Sequence, residues 1–262
     1  MTFLNNFKKS CNLIWNKKIL LIILFDFLFF FLLFLLSGII MQNVVVNLGV
    51  LQEKGATLNS DELENTQESI AYFLQQLEGL EDITSRIFLM INLLVIGIFL
   101  LWCIFQGLNW MISDNIINKN KIKFKKFLKL NVISLMWLII IIVFFKLFNT
   151  GLVEGLGEQE KTGAGIMILI FFFIVFYFLS INYGIFLLSS KLKESIKKSF
   201  FMSVVKFYKI LPVYVLILVI FLAMVIVLYS LRVLFWGFGI IGLIMFLVFL
   251  AWSRLFILLS LE

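Results

Sequence analysis

The chain predicts an all-α, polytopic membrane protein with six transmembrane helices, and three observations carry that prediction. Hydrophobic residues make up 63% of the sequence and charged residues 14%, well beyond the roughly 45–50% apolar content of soluble domains. The excess is gathered into six segments, each near or above the ~20 residues that cross a hydrocarbon core of ~30 Å. The connectors between them alternate basic, acidic, basic, acidic. Lysine-rich connectors stay on the cytoplasmic side, so both termini are expected there and every odd crossing runs outward.

The first span, 19–41, follows Lys8, Lys9, Lys17 and Lys18. Its apolar run is longer than the ~7–15 residues of a cleaved signal sequence, and no small-x-small site follows it, so it reads as a retained signal anchor. Residues 42–86 form a 45-residue insertion with eight acids (Glu53, Asp61, Glu62, Glu64, Glu68, Glu78, Glu81, Asp82) against Lys54 and Arg86. Within it Asn59 can cap a helix, with Glu62 three places on and an apolar series Leu63, Ile70, Phe73, Leu74, Leu77, Leu80 behind them. The outer amphipathic helix 59–83 is too small to fold alone. It is expected to pack on the membrane domain, the alternative being a protein partner.

The second and third spans, 87–111 and 130–149, enclose six lysines between Lys119 and Lys129. An outer loop with Gly151, Gly155, Gly157, Gly163 and Gly165 among glutamates is expected to be mobile. The fourth span, 164–189, leads into Lys191, Lys193, Lys197, Lys198, Lys206 and Lys209, opposed only by Glu194. Spans five and six, 211–231 and 234–260, form a tight hairpin around Arg232 with Trp236 as interfacial anchor. Pro212, the one proline, falls in the expected first turn of span five, where its missing N–H costs nothing.

Aligning Phe7-Lys8-Lys9-Ser10, Phe124-Lys125-Lys126-Phe127 and Ile196-Lys197-Lys198-Ser199 reveals three two-span units. Their intervals, 117 and 72 residues, differ by 45, the length of segment 42–86. Each unit opens with an amphipathic segment suited to the inner interface. In the first, Phe3, Leu4, Phe7, Cys11, Ile14 and Trp15 form the apolar side. In the third, Leu192, Ile196, Phe200, Val204 and Tyr208 do so. Lys8, Lys9, Lys125, Lys126, Lys197 and Lys198 are expected to face lipid headgroups.

Charged groups inside a bilayer are costly and diagnostic. Asp26 and Arg254 lie seven and six residues from the inner ends of spans one and six, roughly 10 Å deep at 1.5 Å per residue, so they can pair. The repeat aligns Arg254 with Asn182 and, within one residue, Asn109. With Gln106 these form a candidate polar layer: Asp26, Gln106, Asn109, Asn182 and Arg254. One reading is an inward-open vestibule or anionic headgroup site with Arg254 as cation and Asp26 holding it when the site is empty. The other is interhelical hydrogen bonding and one ion pair that fix helix register.

Catalysis finds little support, and the chain is expected not to be an enzyme. It has no histidine, which removes the commonest general base and imidazole metal ligands. No phosphate loop or dinucleotide fingerprint occurs, and the outer acids match no Ca²⁺ loop, so no catalytic residue, metal or cofactor is predicted. Cys11 and Cys103 sit in different environments and form no disulfide framework. The net charge of +7 resides beside span ends, where anionic lipid rather than nucleic acid is the expected partner. Composition and the lack of an N-x-[ST] sequon point to a prokaryotic plasma membrane.

The three basic-helix-plus-hairpin units resemble the six-span multi-pass families of bacteria and archaea that include the membrane domain attached to glycerophosphodiester phosphodiesterases. That resemblance covers the membrane part and implies a membrane domain of undefined biochemical activity. It carries over no catalytic residue. These 262 residues depart from that pattern in carrying no soluble phosphodiesterase-like stretch and in the 45-residue insertion. The functions that remain are a non-enzymatic scaffold or accessory subunit and, alternatively, a small permease or lipid-handling transporter.

Overall fold

A computed structural model describes residues 3–56, 67–148, 158–189, 191–232 and 238–261. Among them are eight helices and no strand: α1 (Phe3–Leu13), α2 (Ile19–Ala56), α3 (Gln67–Asn118), α4 (Phe124–Phe148), α5 (Glu158–Ser189), α6 (Leu192–Val204), α7 (Phe207–Arg232) and α8 (Phe238–Leu261). Six of these, α2, α3, α4, α5, α7 and α8, are long and apolar enough to cross a membrane, which makes this an integral membrane protein. The chain divides into two compact units, Met1–Phe27 with Cys103–Glu262, and Leu28–Trp102.

Several helices overrun their predicted bounds. The acidic segment preceding span two is one continuous helix with that span, because no proline or glycine pair interrupts Gln67–Asn118. The expected separate helix 59–83 is thus the N-terminal part of α3 from Gln67 onward, while Asn59 and Glu62 lie outside the described residues. Likewise α5 begins at Glu158, where Glu158 and Glu160 suit a helix N-terminus, so Gly163 and Gly165 are helical rather than part of a loop. Gly151, Gly155, Gly157 and Trp236 fall outside the described residues. Pro212 lies inside α7, which starts at Phe207, so its absent N–H withdraws a bond from the carbonyl of Tyr208. The basic opening of the second unit is no separate helix but the first turns of α4.

In the first unit, α6 packs through a serine face, and α1 packs through Asn6 and Ser10 together with Phe3 and Phe7. α6 buries Ser195, Ser199 and Ser203 and leaves Phe200 and Val204 exposed, as is Tyr208 at the start of α7. α1 buries Asn6 and Ser10 while Leu4, and Trp15 just past its end, stay exposed. Small residues at helical spacing let helix axes approach closely, and the serine stripe of α6 does this against α5. The Ser199 hydroxyl bonds to Asn182 Oδ1, and the Tyr177 hydroxyl donates to the Ser203 carbonyl at 3.1 Å. On α8, Trp252 Nε1 donates to Ser10 Oγ at 3.0 Å, and Ser10 in turn donates to the Phe7 carbonyl at 2.7 Å. Asn6 Nδ2 donates to the Leu259 carbonyl at 3.1 Å, one of the acceptors that the end of α8 leaves without an intrahelical partner. Phe3 and Phe7 pack edge-on against Phe256.

These contacts follow the repeat. Ser10, Phe127 and Ser199 are equivalent, as are Gly107, Ser180 and Trp252 two residues before the Asn109, Asn182, Arg254 positions. Ser10 meets Trp252, Phe127 lies over Gly107, and Ser199 meets Asn182, so each unit's opening segment packs on the second span of another, in cyclic order. Residue sizes are reciprocal at two of the three joints, a small serine beside tryptophan and a large phenylalanine beside glycine. That keeps the filled volume similar, as close packing demands.

The second unit, Leu28–Trp102, is an antiparallel helical hairpin. Phe29 meets Trp102 edge-on, Leu36 occupies the space a side chain on Gly97 would need, and Asn47 Nδ2 approaches Met90 Sδ at 3.9 Å. The candidate spans that run through it are long helices: Ile19–Glu53 is 35 residues and Gly79–Asn118 is 40, against 20 to 24 for the other four. At 1.5 Å per residue the two measure about 52 Å and 60 Å, so they exceed a hydrocarbon core of ~30 Å.

Candidate functional site

The start of α2 and the ends of α3 and α8 meet in a small apolar cluster of Ile19, Ile22, Ile112, Ile116, Ala251 and Leu255. Helical spacing then places polar residues on the same faces one to two turns further along: Asp26 beyond Ile19 and Ile22, Gln106 and Asn109 before Ile112 and Ile116, and Arg254 beside Leu255. The four converge. Arg254 Nη1 donates to Asp26 Oδ2 at 2.6 Å, and Nη2 donates to Asp26 Oδ1 and to Gln106 Oε1, both at 2.8 Å. Asn109 Nδ2 donates to Asp26 Oδ1 at 2.7 Å, with Gln106 Nε2 on the same oxygen at a longer 3.4 Å.

Asp26 is 0% exposed and Arg254 7%, so the ion pair is closed from both sides. The fork-to-fork arrangement is the geometry in which arginine and carboxylate interact most strongly, and the two amides satisfy the acceptor and donor capacity that the pair leaves over. One atom stands apart: Asn109 Oδ1 is buried with no hydrogen-bond partner among the described residues. The Arg254 guanidinium is held by the buried carboxylate of Asp26, the pairing that both readings of the polar layer contain.

Asn182 does not join this quartet, although its register matched. α6 covers that level of α5, and Asn182 is taken by Ser199 and, through its carbonyl, by Ser195 Oγ at 3.5 Å. Lys126 likewise departs from its expected headgroup-facing position. Its ammonium bonds Asp114 Oδ2 at 2.9 Å and the Leu187 carbonyl at 2.8 Å, because a carboxylate as buried as Asp114 needs a counter-charge. Lys8, Lys125, Lys197 and Lys198 are exposed, and Lys9 is half-buried.

Asp114 is the group that reading by residue pattern passed over. Asn118 Nδ2 donates to it at 3.0 Å and Asn120 Nδ2 at 3.2 Å, so α3, the α3–α4 link and α4 are tied together, and through Leu187 also α5. The signal was present: Asp114 is the one acid within the lysine-rich stretch 112–129. Just before this link closes, Lys119 adopts a left-handed φ of 55° and its N–H returns to the Asn115 carbonyl at 3.1 Å, a helix C-terminal turn more often made by glycine.

Outside the spans, Glu194 holds the Lys191 ammonium above its ordinary pKa, first by hydrogen bonding and then by charge. Both groups are exposed, and such pairs contribute little. Cys11 and Cys103 are free. No group of three or more potential metal ligands occurs among the described residues.

Comparison of the chain with protein-family models, with curated proteins and with solved structures yields no match. The site's chemistry therefore stands on its geometry: a buried, internally paired charge cluster that pins three helices at one depth.

Proposed function

We propose that this chain is a non-enzymatic scaffold or accessory subunit of a plasma-membrane assembly, with both termini in the cytoplasm. The observation that supports this most directly is the closed Asp26–Arg254–Gln106–Asn109 quartet. A transport site must exchange its partners with a solute, whereas here the carboxylate has four donors and the guanidinium three acceptor contacts, all within the chain. Buried pairs of this kind are best attested as devices that set helix register. The exposed lysines and the apolar outer faces of α1 and α6 fit contact with anionic lipid along one interface.

A second reading, a small permease or lipid-handling transporter, draws on one specific atom. Asn109 Oδ1 is an unmet acceptor beside the ion pair, available to a solute's donor if the quartet opens.

Proteoliposomes separate the two. The scaffold reading expects no translocation of a fluorescent phospholipid and no anion leakage above empty vesicles. It also expects D26N and R254Q to lower thermal stability singly and D26N/R254Q to regain much of the loss. Flux that D26N abolishes at unchanged stability would overturn it.

A further inference from the structure

Two connectors of the first unit meet at one asparagine. In the α1–α2 turn the Asn16 N–H donates to the Leu13 carbonyl and the Ile19 N–H to the Asn16 carbonyl, while Asn16 Oδ1 accepts from the Lys18 N–H at 3.0 Å. This turn leaves Trp15 89% exposed, with Lys17 exposed beside it. The Lys18 ammonium reaches across to Asn115 Oδ1 at 2.5 Å, and Asn115 Nδ2 donates to the Asn120 carbonyl at 2.7 Å. Asn120 stands in the α3–α4 link between Lys119 and Lys121, both exposed. Lysines 17, 18, 119 and 121, from distant parts of the chain, are thus gathered around Asn115. None of them has a carboxylate partner among the described residues. Asp114, the acid nearest in sequence to the link, is 2% exposed and held by Lys126.

The junction also lies at an edge of the bilayer. Candidate spans begin at Ile19 and Phe124 and another ends at Asn118, and residues 14–18 and 119–123 between them carry lysines and no acid. Connectors charged in this way stay out of hydrocarbon whatever the tilt of the spans. Trp15 and Phe124, the latter 74% exposed, stand where the apolar runs begin, the level that aromatic rings favour. An occupant of the junction therefore meets cations and apolar surface together. An anionic phospholipid answers both, with a phosphate for the ammoniums and acyl chains beside the rings, and basic pockets between transmembrane helices bind such headgroups. We propose that the α1–α2 turn and the α3–α4 link form a composite site for the headgroup of an anionic phospholipid. Lys17, Lys119 and Lys121 contact the phosphate, and Asn115 holds Lys18 beside them. This narrows the general contact between exposed lysines and lipid to one place, and it stands apart from the scaffold reading, because a scaffold and a transporter can each carry a bound lipid.

The test titrates the full chain in detergent with phosphatidylglycerol and, separately, with phosphatidylcholine of the same acyl chains, and counts bound lipids by native mass spectrometry. The first phosphatidylglycerol should bind at least about tenfold more tightly than phosphatidylcholine. K17Q/K119Q should remove most of that margin at an unchanged melting temperature, since both side chains are exposed. The charge-keeping K17R/K119R should retain it. So should K197Q/K198Q, which removes two exposed lysines of α6 close to Glu194. Equal binding of the two lipids, or an undiminished margin in K17Q/K119Q, would overturn the proposal. An equal loss in K197Q/K198Q would do the same, because it describes diffuse attraction without a site. A hexaglutamate peptide that binds more tightly than phosphatidylglycerol through the same lysines would instead assign the junction to an acidic protein segment and overturn the lipid site. None of these outcomes bears on flux in proteoliposomes, which alone decides the scaffold reading.

Discussion

Asp26 shows how one residue couples three helices. Its carboxylate is fully buried and faces Arg254 at 2.6 Å, so removing either charge strands the other. D26N and R254Q are each expected to cost about 3–5 kcal/mol, read as a fall in melting temperature in detergent, with the double variant losing much less than the sum. Additive losses would show that the two do not act as a pair. Asp114 and Lys126 form a second, less enclosed pair at 2.9 Å. D114N should cost about 2 kcal/mol, the range for hydrogen bonds to charged groups, and K126M in the D114N background should add little. The depth match between Asp26 and Arg254 was legible because a charge in an apolar run stands out. Asp114 was harder to see, since a lone acid among lysines at a helix end looks like an ordinary solvated residue.

At the level of elements, the short helices α1 and α6 carry a lesson about faces. Their apolar residues recur at helical spacing, and in a soluble protein that stripe would turn inward. Here the serines of α6 pack inward while Phe200 and Val204 point out, and on α1 Asn6 and Ser10 are buried beside the packed Phe3 and Phe7 while Leu4 points out. Ser199→Leu should wedge α6 off α5, visible as faster amide exchange across Leu192–Val204. Gly107 makes the matching test on α3. A Cβ there would come within 2.9 Å of the Phe127 ring and 3.1 Å of Asn131 Oδ1, so G107A should destabilise by about 1–3 kcal/mol. Adding F127A should restore part of that loss, because the pair shares one volume. Two independent, additive costs would count against the joint as described.

For the whole molecule, orientation rests on which connectors share a compartment. With Cys11 and Cys103 replaced, single cysteines at exposed positions 53 and 197 should react with a membrane-impermeant thiol reagent from opposite sides, position 53 in intact cells and position 197 only after permeabilisation. Labelling of both from outside would invert the reading of the lysine bias and, with it, the expected cytoplasmic termini.

The number of crossings, their order and the Asp26–Arg254 pairing depth followed from sequence alone, because a hydrocarbon solvent enforces long apolar helices and penalises every charge within them. Tertiary packing decided what local pattern could not. It chose the serine faces of α6 over its phenylalanines, drew Asn182 to Ser199 and away from the quartet, and turned Lys126 inward to Asp114. It also ran the acidic segment on as the start of α3. Each of those outcomes depends on which residue from a distant part of the chain arrives at the same depth. That is set by the packing of whole helices, and periodicity within one helix does not record it.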